Sequence, residues 1–436
     1  MANFVAMHPS ANREAHCERR RAYYNRFPAF WATLPGVDVE EYAVYGALEV
    51  SREHASALRL ATARLYQVMT RLATSLQRAE DQPLLDMGIP RSALPYVHVV
   101  VAGMSAVMCG RFEFAFTEQG PKLLEFNAET PTFVVELFQM NGQVCADFAL
   151  PDPNLQCREQ LARAVHASIK AGISWLRPRL WRQASVFFSS YVDSKEERNT
   201  TEFYRDLLGP KKRLAYRGSF CGLDQLRVTD DCLLTAEGKR VDVLYKMYPT
   251  EHLLLDEAPD GTLVGLALMD LVCKRRLVVI NPPTAFVLQN KALMALLWTA
   301  HLAKSQLFTQ EEHGWIEQYL LPTYLSAQDA QGQPLFAGPY VVKPVYGREG
   351  ASIAIRNSQE IVEQSPESLY NDQVMVYQQY VSLPQAAIQT EAGLIDVNLV
   401  HNCFIAGGQP SAIGIRGSQK LILDDNSYFV PVCHPF

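Results

Sequence analysis

GRFEFAFTEQGPKLLEFNAETPT, Gly110 to Thr132, is the stretch on which the reading of this chain turns. Arg111–Phe116 and Lys122–Asn127 alternate in character, and Thr117–Pro121 separates them, the pattern of two strands and a turn. An antiparallel hairpin centred near Gln119 sets Glu113 opposite Glu125 and Arg111 opposite Asn127. Side chains alternate across a strand, so Phe112, Phe114, Phe116, Leu124 and Phe126 fall on the other face, which is apolar. Two carboxylates directly across a ladder repel each other. A hard dication reverses the sign, because magnesium takes carboxylate and amide oxygens and keeps water or phosphate oxygens as further ligands. Arg111 beside it would then hold a terminal phosphate. A solvated polar face without ligand has the same pattern, and spacing alone does not choose between the two.

Working outward, YVVKPVYGREGASIAI, Tyr340 to Ile355, places Lys343, Gly347, Arg348 and Gly350 in a loop between two apolar extended runs. Glycines let backbone N–H groups approach phosphate oxygens, and Lys and Arg supply the countercharge. An ordinary hairpin with a charged tip reads the same way, and no Walker A pattern is present. Lys291 follows Asn290 at the expected start of a helix, where negative charge is normally favoured. A bound phosphate would account for it, and so would simple exposure. SAIGIRGSQKLIL, Ser411 to Leu423, brings Arg416 out of an apolar strand, as a ligand-facing or a merely solvated arginine.

Apolar residues Leu58, Ala61, Leu65, Val68, Leu72 and Leu76 recur at helical spacing within Ser51–Gln77. Leu161 to Leu176 repeats the pattern and should stop at Pro178, and a third helix should begin at Asn290 as N-cap. Extended stretches are expected at 184–191, 241–247, 340–343, 351–355, 374–380 and 412–416. Strands mixed with long helices imply α/β or α+β architecture. The polar, Gln-rich segment 303–338 reads as a loop or inserted excursion.

Composition excludes several classes. The chain has 436 residues, 48% of them hydrophobic, and a formal net charge of −6, which gives no reason to expect nucleic acid or an anionic membrane as partner. The basic run Arg19-Arg20-Arg21 is most simply a solvated helix face. Nine cysteines without a CxxC pair argue against a disulfide scaffold and for reduced thiols in the cytoplasm. No apolar window approaches the roughly 20 residues of a membrane span, and no secretory leader is evident.

In colinear order from about Ala102 to the C-terminus, these motifs resemble the glutathionylspermidine synthase family, in its synthetase-only form within the ATP-grasp superfamily. The family's RFD…LEYNADTPT is similar to RFE…LEFNAETPT here. Its LYPWE resembles Met247-Tyr248-Pro249-Thr250-Glu251, and its proline-then-SNK element resembles Asn281-Pro282-Pro283…Gln289-Asn290-Lys291. Its KPxxGREG loop matches Lys343–Gly350, its Gln-bearing strand resembles Tyr377-Gln378-Gln379, and its GIGIR strand matches Gly414–Arg416.

The resemblance implies an α+β fold: an ATP-grasp region over 291–436, a preATP-grasp-like α/β and metal-hairpin region over 96–290, and a mainly helical segment over 1–95. It implies an ATP- and magnesium-dependent carboxylate–amine ligase working through an acyl phosphate. Glu113, Glu125 and Asn127 would ligate magnesium. Arg111 would contact the transferred phosphoryl group, and Lys291 and Lys343, with the Gly347–Gly350 loop, the ATP phosphates. Arg348 would hold the acyl phosphate or its carboxylate donor, and Arg416 would act on the substrate side. Thr130, Thr132 and Glu251 would bind substrate, and Gln378 would sit near the adenine. The partners would be a small-molecule or peptide carboxylate and an amine. The amidase domain of the bifunctional family members has no counterpart in the sequence, so no hydrolase activity is expected. Gly417 stands where the family usually has an acid, and Tyr428 where the bifunctional synthases have one associated with the amine. These departures favour an alternative, a nucleotide-binding regulatory protein that has lost ligation.

Overall fold

The computed structural model describes residues 4–5, 13–34, 40–176, 184–209, 216–357, 360–424 and 426–436. The hairpin forms from strands Cys109–Thr117 and Gly120–Asn127, with Glu113 opposite Glu125 and Arg111 opposite Asn127, as the alternation requires. The turn is tighter than expected, because Thr117 already pairs with Gly120, which supplies a φ of +96°. One residue is therefore in excess, and the register shifts between Glu113 and Phe114. Leu123, not Leu124, takes the place beside Phe114 on the apolar face. A bulge of this kind re-aims the side chain next to it, and Leu124 lines a cavity on the polar side instead.

The apolar face is a stack of rings. Phe112 and Phe126 lie 3.8 Å apart between centroids, nearly parallel, and Phe114 continues the row. Helix Arg52–Leu76 covers this face; Leu58, Ala61, Leu65, Val68, Leu72 and Leu76 are all buried. Ser51 caps it, its hydroxyl accepting from the His54 N–H at 3.1 Å.

The hairpin belongs to a six-stranded antiparallel sheet. Cys109–Thr117 pairs with Gly393–Ala406, which pairs in turn with Gln409–Ser418 and then Tyr428–Val430; Gln385–Thr390 adds to the first half of Gly393–Ala406. A second antiparallel sheet has the order Thr323–Tyr324, Met375–Gln379, Tyr340–Pro344, Ala354–Asn357, Glu360–Gln364. A four-stranded parallel sheet, Val278–Ile280, Val243–Lys246, Ser185–Ser190 and Arg217–Gly222, carries helices Cys157–Leu176 and Lys195–Asp206. Parallel strands buried between helices account for the near-continuous apolar runs of that region. The architecture is α+β with an α/β subdomain, as expected.

Two side chains join the parallel sheet to the end of the hairpin. Asn281 donates to the carbonyls of Ala128 at 2.9 Å and Glu129 at 2.8 Å, and Gln289 Oε1 accepts the N–H groups of the same two residues at 2.8 and 3.1 Å. These bonds fix the chain where it leaves the hairpin.

Several expectations need correction. Segment 303–338 is not loop throughout: helix Gln310–Tyr319 runs through it, with a Thr309–Glu312 capping box. Its polarity hid a narrow buried side of His313, Ile316 and Tyr319, and Glu312 turns inward to Arg71 at 2.5 Å on the long helix. Arg20 is not solvated. It is 2% exposed, paired with Glu41 at 2.9 Å and Glu391 at 2.8 Å. The expected strand at 351–355 begins only at Ala354, because Ser352 sits at φ +58° in a turn. The third helix spans Ala292–Leu302, and Asn290 caps it as expected, its backbone extended and its Oδ1 accepting the Ala292 N–H at 2.8 Å. The stop expected at Pro178 lies outside the described residues. All nine cysteines are free. Among the described residues no helix is long and apolar enough to cross a membrane.

His54 stacks on Phe116 at 3.5 Å and lies 4.8 Å from His401, and His54 Nε2 and His401 Nδ1 lack partners. Burial pulls the His54 imidazole down to about 4, and burial, then His54, pulls His401 well below its usual value. A group whose folded pKa is depressed leaves the unfolded chain binding more protons as pH falls below about 6.5. Stability should therefore drop from pH 7 to pH 5, with His54 alone contributing about 2 kcal/mol of the loss. Urea unfolding of His54→Phe should show a shallower pH dependence by that amount; an unchanged slope would remove His54 from the account.

Candidate functional site

The polar face of the hairpin, the second antiparallel sheet and the 343–350 loop enclose a cavity of about 530 Å³. Eleven of the fourteen residues singled out in the sequence line it: Arg111, Glu113, Glu125, Asn127, Thr130, Thr132, Lys343, Arg348, Gly350, Gln378 and Arg416. Lys291, Gly347 and Glu251 are not in its lining; Lys291 and Glu251 contact Glu125 and Arg348, which are.

The acids come from the ladder and the cations close around them. Arg111 lies 2.7 Å from Glu113 and donates to Thr132 Oγ1 at 3.0 Å. Asn127 donates to Glu113 at 3.1 Å, and Arg416 stands 3.9 Å from the same carboxylate. Burial pushes the Glu113 carboxyl up, but Arg111, Arg416 and Lys343 outweigh it and hold the group below its usual range. Glu125 faces Lys291 at 3.2 Å, and Lys291 also donates to the Gly347 carbonyl at 2.8 Å. Lys291 is therefore neither exposed nor idle: it ties the glycine loop to the hairpin.

Lys343 donates to Gln378 at 2.8 Å and to the Leu124 carbonyl at 3.2 Å. Burial lowers its ammonium to about 8; Glu125 and Glu113 oppose the fall, and Lys291 adds to it. Arg348 donates from Nε to Glu251 at 3.0 Å and from Nη2 to Thr130 Oγ1 at 3.1 Å. Gly350 makes the loop turn, since its φ is +76° and a Cβ there would stand 2.4 Å from the Leu423 carbonyl oxygen. Gly347 serves close packing instead: a Cβ would meet Pro344 at 2.3 Å.

Arg111 Nε and Glu251 Oε2 are among the buried polar atoms that lack a protein partner. Such orphans in a folded protein call for an explanation, and a ligand is one. Glu113, Glu125 and the Asn127 amide present hard oxygen donors suited to magnesium. Among the described residues no three His, Cys, Asp or Glu side chains converge into a metal cage. Two carboxylates and an amide leave half of an octahedron to phosphate oxygens and water, which is how magnesium is usually held beside nucleotides.

The sequence did not disclose two further acids of the cavity. Glu196, from the start of helix Lys195–Asp206, and Glu349 line it with Tyr42. Burial raises the Glu196 carboxyl to about 8, and Glu136 and Glu349 add to the rise against Arg416 and Arg111. Glu136, raised to about 6 by burial, accepts from the Tyr42 hydroxyl at 2.7 Å. Ser194, whose hydroxyl accepts the Glu197 N–H, was a legible helix cap. The closeness of Glu196 to Arg416 and Arg111 was not legible.

The chain is similar to known proteins over most of its length. It is 23% identical over 335 residues to a Haemophilus influenzae protein named "Putative acid--amine ligase", covering 74% of this chain and 73% of that one. It is 23% identical over 351 residues to the bifunctional glutathionylspermidine synthetase/amidase of Escherichia coli, covering 75% of this chain and 49% of that protein. The match thus spans about half the length of the bifunctional relative. Among solved structures, a glutathione synthetase-like effector of Globodera pallida in its apo form superposes with a TM-score of 0.62 at 10% identity, over 99% of this chain and all of that one. At that identity the likeness is one of fold. The model of the glutathionylspermidine synthase preATP-grasp family matches residues 21–434, and the chain belongs to that family.

Proposed function

We propose that this protein is a carboxylate–amine ligase that uses ATP and magnesium to join a small-molecule or peptide carboxylate to an amine. One observation carries the reading: a single cavity gathers the two facing carboxylates, the cations Arg111, Lys343, Arg348 and Arg416, and two further acids, Glu196 and Glu349. Its apolar part, with Leu124, Val341 and Ile355 near Gln378, suits the flat base of a nucleotide. Lys291 and Lys343 would bind the phosphates, and Arg111 the group in transfer. Arg348 and Arg416 would receive the substrate carboxylate, with Thr130, Thr132 and Glu251 supporting it. Bound magnesium would supply positive charge to the phosphate oxygens from Glu113, Glu125 and Asn127.

In this reading the substrate carboxylate attacks the γ-phosphorus of ATP, the bond to ADP breaks, and an acyl phosphate forms. The amine then attacks the acyl carbon, phosphate leaves, and the amine proton passes to a base. Positioning and charge neutralisation supply most of the acceleration in such transfers. Glu349 would draw in an ammonium, and Glu196, raised to about 8 and so mostly protonated near pH 7, would serve as the base once the incoming positive charge favours its ionised form. The related Escherichia coli and Haemophilus influenzae proteins, by their names, support ligation. Nine free thiols fit a reducing compartment, and we place the reaction in the cytoplasm.

Phosphate release from ATP and magnesium, measured across a matrix of carboxylates that includes glutathione and amines that include spermidine, tests the proposal. Release that requires one pair, with an amide product by mass, is the expected result; ATP binding without turnover under every pair would favour a regulatory role. In the active pair, Glu125→Gln should cut turnover about a hundredfold while the thermal midpoint stays near the wild-type value. Wild-type turnover in that variant would sink the metal assignment. Lys343 is charged below about 8 and neutral above it, so affinity for ATP should weaken as pH rises from 7 to 9. Lys343→Arg, which stays charged, should flatten that dependence in a titration calorimetry series.

A further inference from the structure

Glu129 immediately precedes Thr130, yet it does not line the cavity. Its carboxylate lies 2.5 Å from Lys246, and both side chains are 3% exposed. The pair is complete in itself. Lys246 gives its three N–H bonds to Glu129, to the Tyr248 carbonyl at 2.7 Å and to Thr250 Oγ1 at 3.0 Å. Thr250 in turn donates to Glu129 from its hydroxyl and, at 3.2 Å, from its backbone N–H. A buried ion pair is poor evidence of added stability, because desolvation offsets much of the attraction. Its best-attested use is to specify one arrangement over others.

What is specified follows from the next residue along. Thr250 opens the short helix Thr250–Leu253, whose Glu251 holds Arg348 Nε, and Arg348 Nη2 reaches back to Thr130. The contacts therefore close a ring: Glu129 to Thr250, Glu251 to Arg348, Arg348 to Thr130, and Thr130 to Glu129 through the chain. Gln289 and Asn281 pin the backbone of Glu129 from both sides. Glu129 and Thr250 are also positions where this chain differs from the family pattern, which has aspartate in NADTPT and tryptophan in LYPWE. An aspartate arm is one methylene shorter and a tryptophan has no hydroxyl. The hydroxyl contact to Glu129 is one that a tryptophan at position 250 cannot make.

We infer that Glu129, Lys246 and Thr250 are positioning residues: a closed ion-pair network outside the cavity that sets where Arg348 meets the substrate carboxylate. The chemistry it serves rests on the ligase reading; the coupling itself does not. Hydrogen–deuterium exchange of the full chain separates the two. Thr250→Val and Glu129→Asp should speed exchange over residues 343–352 about tenfold, with the Cys109–Asn127 hairpin unchanged and Thr250→Ser behaving as wild type. In a productive substrate pair, Thr250→Val should raise KM for the carboxylate about tenfold while leaving KM for ATP close to wild type. Unchanged exchange in both disruptive variants overturns the inference. So does faster exchange spread evenly along the chain, or Thr250→Ser exchanging as fast as Thr250→Val. If wild type turns over no pair, the ligase reading falls and the exchange pattern still decides the coupling.

Discussion

Two carboxylates facing each other across a β-ladder are the constraint around which this molecule is organised. Glu113 and Glu125 cannot separate, because the register that opposes them also stacks Phe112 on Phe126 beneath the long helix. Slipping the hairpin by one residue would turn the rings to the cavity and the acids to the core. The repulsion therefore has to be answered from outside the hairpin. Arg111 answers from the same strand, Arg416 from two strands away, and Lys291 from the turn between two helices. At hydrogen-bonding distance each such pair is worth several kcal/mol in a partly buried setting before desolvation is counted.

That answer also builds the cavity. Lys291 reaches Glu125 while donating to the Gly347 carbonyl, so the charge that neutralises the hairpin also docks the glycine loop. Lys343 crosses from the second sheet to the Leu124 carbonyl and ties the two sheets across the space between them. The bulge after Glu113 completes the wall by sending Leu124 toward the cavity. Electrostatic neutralisation and cavity formation are one event here.

Features with a short repeat were readable in the sequence. Alternation of period two fixed the Glu113–Glu125 and Arg111–Asn127 pairs, and period 3.6 fixed the buried stripe of the long helix. The bulge escaped because one inserted residue leaves the alternation on either side intact, so Leu123 and Leu124 look interchangeable. Helix Gln310–Tyr319 escaped because its buried side holds His313 and the inward-turned Glu312, which hydropathy counts as solvent-facing. Arg20 escaped for the same reason: its partners Glu41 and Glu391 come from distant segments. The pairing of Glu129 with Lys246 and the acidic cluster at Glu196 are products of the tertiary fold, and no local pattern encodes them.

The departures from the family pattern look different once placed in space. A Cβ on Gly417 would stand 3.1 Å from Val397 and 3.2 Å from Val430, both buried in the core, whereas its neighbour Arg416 lines the cavity. A carboxylate at position 417 of this backbone would enter apolar packing, so its absence takes no group from the cavity. The acids that the cavity itself presents beyond the hairpin are Glu196 and Glu349. Against a purely structural role stand the costs that the site retains. Lys343 is held with its ammonium lowered to about 8, Glu196 with its carboxyl raised to about 8, and Arg111 Nε and Glu251 Oε2 without partners. Each of these lowers the stability of the empty fold. A phosphate-bearing ligand with a carboxylate and an ammonium beside it would relieve those that face the cavity, Lys343, Glu196 and Arg111, and for that reason the geometry supports ligation better than a nucleotide-binding role alone.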